Sequence, residues 1–91
     1  MDLNQAIYNW LQMKIVYAAR PDDVSALKTL QFFEEILVED HVVKNLDVHL
    51  LDDEYIVRFE KDSTLREEHI DKDRAEQLLA DIQDNPKYNE Q

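Results

Sequence analysis

Three histidines, His41, His49 and His69, are the side chains best suited to chemistry in this sequence. Imidazole both ligates divalent metals and exchanges protons near neutral pH. His41 follows Glu35, Glu39 and Asp40, while His69 lies between Glu67, Glu68 and Asp71, so carboxylate co-ligands are close along the chain. The spacing fits no metal-binding pattern, and H-E-x-x-H does not occur. With 21 acidic residues among 91, any histidine acquires acidic neighbours by chance. The histidines are therefore expected to be solvated, and no metal is expected.

The other candidates fail on geometry. Asp71 and Asp73 open a stretch comparable to a calcium loop, but its sixth position is Glu76, where the sharp turn needs glycine, and its twelfth is Ile82 instead of a bidentate glutamate. The adjacent pairs Asp52 with Asp53 and Glu34 with Glu35 cannot converge as acid and base, because neighbours on a strand or helix point in different directions. Ser25, Thr29, Ser63 and Thr64 are the available hydroxyl nucleophiles, and none sits in a glycine-flanked elbow with a base nearby. No catalytic residue and no cofactor site is expected, and the chain is not expected to be an enzyme.

Two absences narrow the classes further. Average usage predicts about six glycines in a chain of this length, and there is none. Phosphate-cradling loops and dinucleotide-binding turns depend on glycine for positive φ and close backbone approach, so neither exists here in its usual form. Cysteine is absent too, which removes disulfides and thiolate chemistry and suits a reducing compartment. No basic segment precedes an apolar run at the N-terminus, and no stretch approaches the roughly 18 apolar residues of a membrane span. A cytoplasmic location without membrane contact is the expectation.

The net charge is −11 and is unevenly placed: residues 1–38 carry −2 and residues 39–91 carry −9. Direct binding to nucleic acid requires a basic footprint and is not expected. A basic protein would be steered toward the C-terminal half.

Helical spacing of Leu3, Ile7, Trp10, Leu11, Tyr17 and Ala18 predicts a first helix ending at Arg20-Pro21. Lys14 falls in the middle of that apolar face; its stem is expected to lie over apolar surface while the ammonium reaches water. Asp22 or Asp23 caps a second helix whose Val24, Leu27, Leu30, Phe33 and Leu37 repeat until about Asp40. The short connection predicts an antiparallel helical hairpin. Leu46, Val48 and Leu50, then Tyr55, Val57 and Phe59, alternate with polar residues and predict a β-hairpin turning at Asp52–Glu54 without glycine. Residues 64–70 read either as a helix opened by Thr64 and Glu67 or, preferably, as a third, polar edge strand. Asp71 or Asp73 caps a last helix with Ala75, Leu78, Leu79 and Ile82 on one face, stopped at Asn85-Pro86.

The fold class is thus α+β, in the order α-α-β-β-(β)-α, with a two- or three-stranded antiparallel sheet covered on one face by helices. One domain is expected over residues 1–85, followed by a mobile tail over 86–91. The order also suits a winged helix, but the second helix offers only Lys28 against Asp22, Asp23, Glu34 and Glu35, the wrong charge for DNA.

A remainder of apolar side chains carries the functional expectation. Tyr8, Leu11 and Ile15 on the first helix, with Phe32 and Ile36 on the second, exceed what one helix seam buries. Either the sheet absorbs them or they form a patch that binds a protein partner or makes a homodimer. A small acidic interaction or regulatory module is the leading reading. The alternatives are an acidic inhibitor or immunity-type protein that imitates nucleic acid, and a metal-dependent enzyme using histidine and carboxylates.

Overall fold

A first helix begins where Asp2, extended and outside the helix, accepts the Gln5 N–H at 2.8 Å and so satisfies one of the free first-turn donors. A computed structural model of the protein describes residues 1–84 and gives this helix, α1, as Leu3–Ala19. Helix α2 (Val24–Glu35) follows, capped by Asp23, which takes the Ala26 N–H at 3.0 Å. The antiparallel hairpin of α1 and α2 is as expected.

The second helix does not simply stop. Residues Ile36–Asp40 continue it as one π-helical turn, closed by the His41 N–H on the Ile36 carbonyl at 3.2 Å. Val42 then adopts φ 54°, and the Val43 N–H returns to the Leu37 carbonyl at 2.9 Å. This reversal puts Leu37 and Val43 together in the core. It is bought with strain, since a β-branched residue in the left-handed region clashes with its own backbone.

Strands β1 (Lys44–Leu51), β2 (Glu54–Lys61) and β3 (Thr64–Asp71) form an antiparallel meander in that order. Residues 64–71 are therefore strand, as preferred above. Both turns do without glycine: Asp62 and Ser63 take φ of 54° and 62°, the double positive φ of a two-residue hairpin turn, and Asp52 takes 57° in the first turn. A bulge between Lys44 and Asp47, with Asn45 at φ 54°, ends the regular pairing of β1.

One sheet face carries Leu46, Val48, Tyr55, Val57, Phe59 and Ile70, all in the core with Ala6, Ile7, Trp10 and Leu11 of α1. Ile56 faces the other way and is nonetheless buried, between its cross-strand partners His49 and His69. After β3 the expected single helix is broken into α3 (Lys72–Ala75) and α4 (Gln77–Asp84), with Glu76 between them. Asp71 caps α3 through the Arg74 N–H. The stop at Asn85-Pro86 and the tail at 86–91 lie outside the described residues. Among the described residues no helix is long and apolar enough to cross a membrane.

Two burial expectations are corrected. Val24, the first residue of α2, is exposed, because it lies at the helix end where α1 has already stopped. Ala18 is exposed as well, and the helix there buries Val16 instead, beside Ala26 and Thr29 of α2.

Candidate functional site

The five candidate binding residues do not form one patch. Leu11 is 0% exposed and belongs to the core, because the sheet lies directly under that stripe of α1 and absorbs it. Tyr8 is half-buried; its hydroxyl donates to the Arg74 carbonyl at 3.1 Å, and the Arg74 guanidinium lies 4.8 Å from its ring centre. Phe32 is 57% exposed, meets Phe33 edge to face, and lines with Ile36 a shallow pocket rimmed by Glu35, Glu39 and Asp40. Ile15 is half-buried on the opposite side of the hairpin, beside the sheet.

Ile15 and Leu11 line an apolar concavity, a groove of about 390 Å³ completed by Lys14, Ala18 and Ala19 of α1, Val48 of β1 and Tyr55 of β2. Its origin is local. In the first half of α1 the sheet-facing positions are Leu3, Ile7, Trp10 and Leu11, which fill the space beneath the helix. One and two turns further on, the same face holds Lys14 and Ala18. Lysine turns away, with Nζ 5.3 Å from the Trp10 ring centre, and alanine is too small to reach the sheet. Ile15 and Leu11 alone cover Val48 and Tyr55 from this part of the helix, and they leave the groove open beside them.

The polar end of the groove is fixed. The Tyr55 hydroxyl donates to Glu76 Oε2 at 2.7 Å, and Lys72 Nζ donates to Oε1 at 2.9 Å. Burial, followed by the bonded carboxylate, pushes the Tyr55 phenol up to about 12. The phenol and ammonium hydrogen bonds hold the Glu76 carboxyl below its ordinary value. Tyr55 is thus a neutral wall tied to Glu76, and no serine, threonine, cysteine or histidine lines the groove. The arrangement suits binding of apolar groups.

The histidines are dispersed. His41 contacts the Met1 carbonyl through Nε2 at 3.0 Å and sits at the junction of helix and sheet. His49 pairs with Asp47 at 2.9 Å, and His69 bridges Glu54 at 2.6 Å and Glu67 at 3.2 Å. His49 and His69 stand on β1 and β3 with β2 between them, two strand spacings or about 10 Å apart. Among the described residues no group of three His, Cys, Asp or Glu side chains is placed to hold a metal ion, and His69 with Glu54 and Glu67 is a hydrogen-bonded cluster. Thr29 Oγ1 donates to the Ser25 carbonyl, and Thr64 Oγ1 to that of Asp62, so these hydroxyls serve local backbone.

Val48, Tyr55, Ala18 and Ala19 were not among the candidates read from the sequence. The available signal was the pairing of Lys14 with two small residues on an otherwise large apolar face; the strand residues opposite depend on tertiary packing. No family model matches this chain, and no curated protein or solved structure matches it either.

Proposed function

We propose that the protein is a small acidic interaction module that receives apolar side chains of a protein partner in the groove between α1 and the β1–β2 hairpin. The observation that supports this reading is the groove itself, an apolar concavity with a Tyr55 wall hydrogen-bonded to Glu76 and a gap left by Lys14, Ala18 and Ala19. The net charge of −11 favours a partner with basic residues flanking the inserted side chains, since long-range attraction then speeds encounter. The phosphate-imitating alternative has less support. On the open sheet face Asp47, Glu54, Glu60 and Glu67 are already engaged by His49, His69, Asn45 and Arg58.

The test uses the exposed position 18. Ala18→Arg fills the groove without touching the core, whereas Phe32→Ser alters the other exposed aromatic site. Partners captured on the wild-type protein from its source lysate should be lost with Ala18→Arg and kept with Phe32→Ser, and should associate more slowly as salt rises. Capture that is indifferent to Ala18→Arg would remove the groove from the function.

A further inference from the structure

The chain order of the sheet leaves β1 as an edge strand, paired with β2 on one side only among the described residues. At the middle of that strand the Val48 N–H donates to the carboxylate of Asp47, its own neighbour, at 2.9 Å. The edge is closed there by a side chain that another strand can displace. Leu50 and Leu51 are both at least half exposed beside it, an unusual load of apolar surface for an uncovered edge.

The sequence of β1 is self-complementary about Val48. Leu46 and Leu50 lie two residues to either side, and Asp47 and His49 one residue to either side. We infer that a second copy of this chain docks antiparallel on the β1 edge, with the two-fold axis at Val48, joining two three-stranded sheets into one of six strands. In that register Leu46 of each copy faces Leu50 of the other, and Val48 faces Val48, all on the helix-covered side. On the open side each Asp47 faces the other copy's His49 and accepts its ring N–H. Val48 transfers its N–H from the Asp47 side chain to the opposing backbone, which releases Asp47 for that contact.

Alternative registers that keep all helices on one face are disfavoured by charge. Moving the axis by one residue centres it on Asp47 or on His49 and sets like groups opposite each other. The bulge between Lys44 and Asp47, which takes in Leu46, and the turn at Asp52 confine the pairing to about five residues, and charge selects the alignment on Val48. The contact is small and each copy carries −11, so the dimer is weak and is strengthened by salt. It uses the backbone edge of β1, shares only Val48 with the groove wall, and therefore goes beyond the function proposed above.

Sedimentation equilibrium of the full chain, over a wide concentration range at low and high salt, tests it. The mass should rise with concentration from 10.9 kDa toward twice that value, and at lower concentration in high salt. His49→Asp, at an exposed position, sets carboxylates opposite each other and should weaken dimerisation at least tenfold. The exchange Asp47→His with His49→Asp re-creates the matched pair and should restore it. Circular dichroism confirms that each variant is folded. A single 10.9 kDa species under all conditions, or a dimer indifferent to His49→Asp, overturns the inference. His49→Asp leaves every groove-lining residue in place, so partner capture on that variant makes failure of the groove and failure of the edge separately visible.

Discussion

The phenol of Tyr55 donates to Glu76 Oε2 over 2.7 Å, linking the middle strand to the break between α3 and α4. Lys72 occupies the other carboxylate oxygen, and the Lys72 backbone N–H reaches the Asp53 carbonyl at the tip of the first hairpin. Strand β2 and helix α3 thus meet on one carboxylate, at one end of the groove.

Removing the phenol hydroxyl should be felt. A hydrogen bond to a charged group contributes about 1.5–3 kcal/mol, and partial exposure lowers this, so Tyr55→Phe should cost about 1–2 kcal/mol in urea denaturation. Glu76→Gln should cost a similar amount and also change the pH response. The carboxyl is held below its ordinary value in the folded state. Its contribution is therefore present above the unfolded pKa and lost as pH falls through the lower, folded one. The variant should show a shallower loss of stability in acid, and parallel curves would exclude this role.

Much of the fold was legible because it is written in local chemistry. Asp23 and Asp71 are caps next to apolar periodicity, and alternation from Leu46 to Phe59 has a turn of acids at its centre. The π turn at Ile36–Asp40, the reversal at Val42 and the break at Glu76 were not legible. Each opposes local propensity and is held by tertiary packing, as where Leu37 and Val43 meet in the core. The site was half legible: Lys14 marks the gap in α1, but that Leu11 belongs to the core depends on where the sheet lies.

His69 gives stability of the opposite pH sign. Its hydrogen bonds to Glu54 first and to Glu67 second raise it above the ordinary 6.5. A group raised on folding contributes fully below its unfolded pKa and loses that contribution as pH climbs through the folded value. The thermal midpoint should therefore fall on going from pH 6 to pH 8.5, and His69→Gln should flatten that part of the profile. An identical slope in the variant would show that these exposed pairs contribute nothing.

Val42 should be improvable. Its left-handed backbone carries strain of about 1–3 kcal/mol, and its side chain is 58% exposed, so little packing is lost on removal. Glycine accepts this φ but costs some unfolded-state entropy. Val42→Gly should raise the unfolding free energy by about 1 kcal/mol. A drop instead would mean that the valine side chain holds the chain reversal in place.

Trp10 separates packing from polarity in the core. It is 2% exposed, yet its indole Nε1 has no hydrogen-bond partner among the described residues. An unsatisfied buried donor costs about 1–3 kcal/mol, which sets itself against the apolar area the ring buries. Trp10→Phe gives up part of that area and the Lys14 contact but removes the stranded N–H, so it should stay within about 1 kcal/mol of the parent. Phe59, fully buried in the same cluster with no polar atom to lose, has no such offset, and Phe59→Ala should cost about 3–5 kcal/mol. Comparable losses in the two variants would mean that the indole N–H is satisfied in solution, and a water beside Trp10 would be the partner to seek.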